Sequence, residues 1–362
     1  MTLDLKKLFH DVFAPAKSDN VLFIVDLPHV TPDSPKWTRR REMAGRWHAA
    51  MESLAKEKGF SVMPIAYYLD VGQHNNSLPD AFQLEADWVK AEALVGSASL
   101  IIAMSTWSAT APLHEWVDRY PELRAASLPG ITPEMEETAL AANYAQIAAY
   151  CRVLKPKLDA AEFAFARFST GDELRLDLRW RAAEMDDGRL HPSDVGKVIN
   201  LPSGEVFSTL YEGERKDVDS LTRGILPVVW KNKVVRLLVE HNTVVDVLRG
   251  DSSEGSLQRF LEEDEARKNI AELGLGCNPS AIVSGNILED EKAGPHIALG
   301  RSDHLGGTVG PRLFQLQPWH QDFSYTKKGL ISMDSLIFHY DGAGAETIIS
   351  RGHYSKHVEI PV

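Results

Sequence analysis

Four stretches in the second half of the chain set carboxylates and imidazoles beside glycines in short apolar segments: NLPSGEVF with Glu205, AELGLG with Glu272, LEDEKAGPHIALGR with Glu291 and His296, and PWHQDF with His320 and Asp322. Ionisable groups are costly to hold near a core unless a cation or a reaction requires them. Oxygen and nitrogen donors in this mixture suit a divalent metal ion. The chemistry expected is that of a metal-dependent hydrolase.

The local spacing gives these residues unequal weight. His320 and Asp322, at i and i+2 on a strand, point to the same face and can share a cation. Glu291 and His296 stand five residues apart across a Gly-Pro turn that leads into an apolar strand. Glu205 by itself would read as a solvated strand residue, and Glu289, Asp290 and Lys292 read as surface charges. Trp319 and Phe323 flank the H-x-D pair, which makes them the first aromatics to consider for substrate contact, although large aromatics are more often core.

The elements that must carry these groups follow from periodicity. In the first 160 residues short apolar runs alternate with longer periodic ones. VLFIVDL (21–27) reads as a buried strand, Pro35 to Lys58 as a helix stopped by Gly59, and SVMPIAYYLD and ASLIIAMS as further strands. Helices are expected between Pro79 and Leu94 and from Pro133 through Leu154. Strands alternating with helices imply a parallel sheet covered on both faces. The loop after the first strand, DLPHVTPDSP, has neither G-x-G-x-x-G nor a GK[ST] phosphate loop, which disfavours a nucleotide site.

From about Ala160 the period becomes two, in AEFAFARF, ELRLDLRW, KVVRLLVEHN and TVVDVLRG, as in half-buried antiparallel strands. One helix, Leu257 to Ala271, is expected among them. The organisation expected is an α/β domain with a parallel sheet over residues 1–158 and a β-rich α+β metal-binding domain over 159–362, with the break at KPKLD.

Composition limits the alternatives. At 362 residues the chain exceeds one ordinary core, since single cores stop growing at roughly 250 to 300 residues. A formal net charge of -12 argues against sequence-independent nucleic-acid binding, which needs Lys and Arg on phosphates. The two cysteines, Cys151 and Cys277, form no CxxC motif, so neither a disulfide framework nor a thiolate zinc site is expected. MTLDLKKLFHDVFAPAKSDN lacks the apolar run of a secretory signal, and no window approaches the roughly 20 apolar residues of a membrane span. A cytoplasmic location and no membrane partner are expected.

The same segments resemble the aminopeptidase T family of metallopeptidases, dimeric two-domain enzymes, from about Phe163 to the C-terminus and more loosely before it. GDELRLDLRWR is similar to the strand preceding that family's site, and NLPSGEVF to its NLP-x-x-EVF segment. AELGLGCNP, EKAGPHIALGR and WHQDF resemble the segments that follow. The resemblance implies Glu205, Glu272, Glu291, His296, His320 and Asp322 as metal-site residues around two ions, with zinc, cobalt or manganese as candidates. It also implies a homodimer and a small peptide or amide substrate cleaved beside its free amino terminus. A carboxylate not fully used in coordination would carry the proton from the attacking water to the leaving amine. Glu272 and Glu291 both qualify.

One departure stands out. Where these peptidases carry a Tyr shortly after HIALGR, this chain reads SDHLGG, with Asp303 and His304, so a hydrogen-bond donor to substrate must come from elsewhere. His304 and Tyr325 are the candidates. The family also shares its scaffold with 2,5-dihydroxypyridine 5,6-dioxygenase, a ring-cleaving enzyme with one iron on a two-histidine, one-carboxylate triad. In that enzyme a His takes the place of Glu272 and the counterparts of Glu205, Glu291 and His296 are lost. The acidic set kept here favours a dinuclear hydrolase over mononuclear iron.

Overall fold

The computed structural model describes residues 3–29, 34–248, 252–342, 344–356 and 358. Val30 to Asp33 of the loop after the first strand, and Arg249 and Gly250 at the end of TVVDVLRG, lie outside the described residues. The chain divides into two compact units. One comprises Met1–Ala148, Asp186–Ser203 and Pro279–Ile282, the other Ala149–Met185, Gly204–Asn278 and Val283–Val362.

In the first unit VLFIVDL lies in the strand Asn20–Leu27, buried between its ends. Its neighbours are parallel, because crossover connections bring the chain back each time to the same end of the sheet. The parallel order is Val198–Asn200, Arg124–Pro129, Leu100–Ser105, Asn20–Leu27 and Ala66–Leu69. The helix Pro35–Lys58 has proline in its first turn and stops at Gly59, whose φ of 85° few side chains tolerate. It buries Met43, Trp47, Met51 and Leu54, with the Trp47 ring 5.5 Å from that of Phe9. Leu22, Ile24, Ile101 and Ala103 pack instead with Leu113 and Val117 of the helix Thr110–Arg119. An α/β layer with both faces of its sheet covered is therefore present.

Two helical expectations fail here. Between Pro79 and Leu94 the chain forms an antiparallel hairpin, Ala81–Leu84 and Asp87–Lys90, before the short helix Ala91–Val95. The hairpin extends the sheet edge through the pairs Ala66 with Leu84 and Tyr67 with Gln83, so tertiary pairing overrides a helix-compatible composition. Pro133 to Ala141 makes two 3-10 turns, and the helix begins only at Tyr144, running to Asp159.

A buried ion pair fixes this sheet. Arg124 makes two hydrogen bonds to Asp19, at 2.8 and 2.9 Å, and a third to the Leu190 carbonyl, and both side chains are almost wholly buried. Burial raises the Asp19 pKa, but Arg124, the Ala16 N–H and the Ser99 hydroxyl outweigh it and hold the group below its ordinary value. Arg124→Met leaves a buried carboxylate unpaired, and a loss of about 3–5 kcal/mol in denaturant unfolding is expected. Because the folded pKa is depressed, the stabilisation from Asp19 is present above the unfolded pKa and lost as pH falls through the folded one. The difference between wild type and variant in urea should therefore shrink in acid.

The second unit is built from antiparallel strands. Its larger sheet runs in the order Thr243–Leu248, Lys233–Glu240, Arg223–Trp230, Glu173–Asp177, Ala161–Phe168, Met333–Tyr340, Gly344–Ser350 and His353–Tyr354. A second sheet carries four consecutive strands, Glu205–Thr209, Ile270–Gly276, Pro295–Gly300 and His320–Ser324. The helix expected over Leu257 to Ala271 is instead the helix Ser252–Glu262, a 3-10 turn Glu265–Lys268, and then the strand that holds Glu272. Among the described residues no helix is long and apolar enough to cross a membrane.

Candidate metal centre

The register of those four strands assembles one polar face. Glu205 pairs with Gly276, Gly274 with His296, Glu272 with Ala298, Ala298 with Asp322 and Gly300 with His320. Residues directly opposite in an antiparallel sheet share a face, and alternate residues along a strand return to it. Glu205, Glu272, His296, His320 and Asp322 therefore project to the same side, around small residues at positions 274, 276, 298 and 300. The other face carries Val206, Leu273, Leu275, Ile297 and Phe323, all buried. This explains why IAELGLG and PHIALG are buried along their whole length.

The donors form two groups that meet at one carboxylate. Glu205, Glu272 and His296 offer donor atoms within 4.8 Å of one another, and so do Glu272, His320 and Asp322. Glu272 Oε1 lies 3.5 Å from His296 Nε2, and its Oε2 lies 3.5 Å from His320 Nε2. His296 Nε2 is also 3.5 Å from Glu205 Oε2, and His320 Nε2 is 3.5 Å from Asp322 Oδ1. Two ligands, each about 2.1 Å from a tetrahedral ion, stand about 3.4 Å apart. The residues present thus fit divalent ions.

Second contacts orient both imidazoles. His296 Nδ1 faces the Gly294 carbonyl at 3.3 Å and His320 Nδ1 faces the Arg301 carbonyl at 2.7 Å. A carbonyl only accepts, so each ring carries a proton on Nδ1 and turns Nε2 inward, the orientation usual for metal-bound histidine. Glu205 Oε2 is buried and has no hydrogen-bond partner among the described residues, an orphaned acceptor aimed at the first group. Gly274 is required by space: a Cβ there would lie 1.9 Å from His296 Nε2.

The electrostatics point the same way. Burial opposes charge on both imidazoles, but Glu272, Glu205 and Asp322 outweigh it, pushing His296 up to about 10, while Asp322 and Glu272 raise His320 well above its ordinary value. Burial likewise raises the Glu272 carboxyl, yet the two imidazoles hold it far below the usual range. The cluster's field favours positive charge between these groups, whether carried by protons or by a metal.

Glu291 stands outside both groups. It sits in the single 3-10 turn Glu291–Ala293, 2.7 Å from the Lys292 ammonium, and burial, with Glu205 and Asp322 nearby, pushes its pKa up to about 8 against the pull of Lys292. Lys292, read from sequence as a surface charge, is fully buried and also donates to Glu205 Oε1. Glu289 is buried as well and Asp290 is half-buried. No spacing rule marks a lysine whose partners are its neighbour in sequence and a residue on another strand.

The substrate candidates separate. Phe323 points to the apolar face, and Tyr325 is buried with its hydroxyl donating to the Pro227 carbonyl and its ring 4.8 Å from that of Phe168. Both were expected near substrate, and strand alternation turns Phe323 away while Tyr325 follows the strand into the core. Trp319 is half-buried against Phe260, ring centroids 5.0 Å apart. His304 packs edge-on against the His320 ring at 5.3 Å, and its Nδ1 is buried without a hydrogen-bond partner among the described residues. Burial pushes it down to about 4, so it is a neutral imidazole beside the second group.

No curated protein sequence matches the chain. Two solved structures share its fold: a 2,5-dihydroxypyridine dioxygenase from Pseudomonas putida KT2440, at 14% identity and TM-score 0.65 over 97% of each chain, and AmpT from Thermus thermophilus, at 16% identity and TM-score 0.58 over 97% of this chain and 98% of that one. Residues 134–307, the stretch that holds Glu205, Glu272, Glu291, His296 and His304, match the thermophilic metalloproteases (M29). The chemistry of that matched family implies a divalent metal.

Proposed function

We propose that this chain is a dinuclear metal-dependent hydrolase of aminopeptidase type, cleaving an N-terminal peptide bond or a related amide. The observation that carries the reading is Glu272, whose two oxygens face two separate donor groups, as a carboxylate shared between two ions must. Glu205, Glu272 and His296 would hold one ion, and Glu272, His320 and Asp322 the other. Bound there, a divalent pair lowers the pKa of water and polarises a carbonyl.

The remaining steps belong to the protein. Glu291, close to Glu205 but outside both donor groups, is suited to take the proton from water and return it to the leaving amine. Lys292 holds Glu291 and Glu205 in fixed relation. His304, neutral and beside His320, is the group placed to stand in for the family's tyrosine. Glu291→Gln keeps the shape and removes the base, so kcat should fall about 10²–10⁴-fold while metal content stays unchanged. A variant within a few-fold of wild type would remove Glu291 from the chemistry.

Metal analysis of protein purified without chelator, followed by reconstitution with zinc, cobalt, manganese or iron, tests the reading. Release of an amino acid from dipeptides or anilides is expected. The shared fold of the dioxygenase gives the second reading a concrete outcome: oxygen uptake with a dihydroxypyridine, dependent on ferrous iron, in place of amide cleavage.

A further inference from the structure

The chain's two cysteines stand 126 positions apart in sequence, yet their Sγ atoms lie 3.5 Å apart in the second unit. Cys151 is buried on the helix Tyr144–Asp159, and Cys277, half-buried, follows the strand Ile270–Gly276 directly. Both touch the chain at the start of the Glu205 strand. The Cys151 Sγ is 3.6 Å from the Glu205 carbonyl oxygen, and the Cys277 N–H donates to the Gly204 carbonyl at 2.7 Å. Gly204 is packed so closely on Asn278 that an added Cβ would lie 2.8 Å from that residue's Cβ, so this segment has little room to move independently of Cys277. Neither thiol belongs to a donor group of the metal centre.

We propose that Cys151 and Cys277 form an intramolecular disulfide on exposure to a hydroperoxide, and that closing this bond displaces Glu205 from its donor group. The second half rests on the metal-centre reading above; the first does not. The Cys277 thiolate, on the more exposed side, attacks a peroxide oxygen, breaks the O–O bond and becomes a sulfenic acid. The Cys151 thiolate then attacks that sulfur, forms the S–S bond and expels hydroxide. Two thiols and one hydrogen peroxide give one disulfide and two waters, the thiol protons leaving with the oxygens. The sulfurs must close from 3.5 Å to about 2.05 Å. That movement removes the S–H from the Glu205 carbonyl and draws on the backbone of Gly204 and Glu205.

The test treats the metal-loaded protein with one equivalent of hydrogen peroxide and reads thiols in denaturant, intact mass and bound metal. The expected result is loss of both thiols, a mass lower by two hydrogens with no covalent dimer, release of one ion per chain, and full reversal by dithiothreitol. Cys277→Ser, and Cys151→Ala as a second variant should either fold poorly, should keep their metal under the same treatment. Oxygen added separately to the two sulfurs, or a disulfide between chains, would overturn the pair. A complete internal disulfide with metal content unchanged would overturn its coupling to Glu205. A protein that holds no metal before oxidation would refute the metal-centre reading instead, leaving the thiol and mass results to judge the disulfide.

Discussion

Glu272→Ala is expected to abolish binding of both ions and to lower kcat/KM on an amide substrate on the order of a thousand-fold or more. One carboxylate faces both donor groups, so its removal takes an oxygen from each and leaves His296 and His320 with one carboxylate apiece, Glu205 and Asp322. Metal ions of this kind supply several kcal/mol of transition-state stabilisation, and each ~1.4 kcal/mol is a factor of ten in rate. The single-group variants divide the effect. Glu205→Ala should release one ion and Asp322→Ala the other, whereas Glu272→Ala should release both. Equilibrium dialysis with metal analysis measures this directly. Retention of two ions by Glu272→Ala would exclude it as the shared ligand.

Gly274→Ala is the second large effect, and it reaches the centre without changing a donor. The new methyl group would lie 1.9 Å from His296 Nε2, so the imidazole must swing out of the donor group. No positive φ burdens this position, so the backbone itself accepts alanine. Overpacking of this type costs about 1–3 kcal/mol of stability, which leaves the fold intact. Misorienting a ligand costs roughly 10–100-fold in metal affinity, and here it should act on the Glu205, Glu272 and His296 group alone. Gly45→Ala is the control. It lies in the helix Pro35–Lys58 with nothing within 4 Å of the added carbon, and should raise stability by about 1 kcal/mol with metal content unaltered. Isothermal titration of both variants separates crowding at His296 from any general effect of replacing glycine.

Parts of this architecture were legible in the residues themselves. The alternation of ELRLDLRW and KVVRLLVE marks strands because side-chain direction along a strand is a local property with period two, and VLFIVDL marks one by its short unbroken apolar run. The same rule sets His320 and Asp322 on one face, and PWHQDF does form that strand. The stop at Gly59 is equally local. The failures arise where a partner decides: AFQLEADWVK became a hairpin because a sheet edge was there to receive it, and Ile270 and Ala271 left the expected helix because the strand they open pairs on both sides.

What the sequence determined, then, is the kinds of donor and their local direction. Tertiary structure decided which of them meet. Strand register sets Glu272 between His296 and His320 and turns Phe323 to the core, while the packing of a helix and a 3-10 turn against these strands brings Cys151 to Cys277 and leaves Glu291 outside both groups beside Lys292. The physical reason is that alternation acts over neighbouring residues, whereas proximity between strands, and the burial of a charge such as Lys292, depend on partners remote in the chain. No periodicity within one segment encodes them.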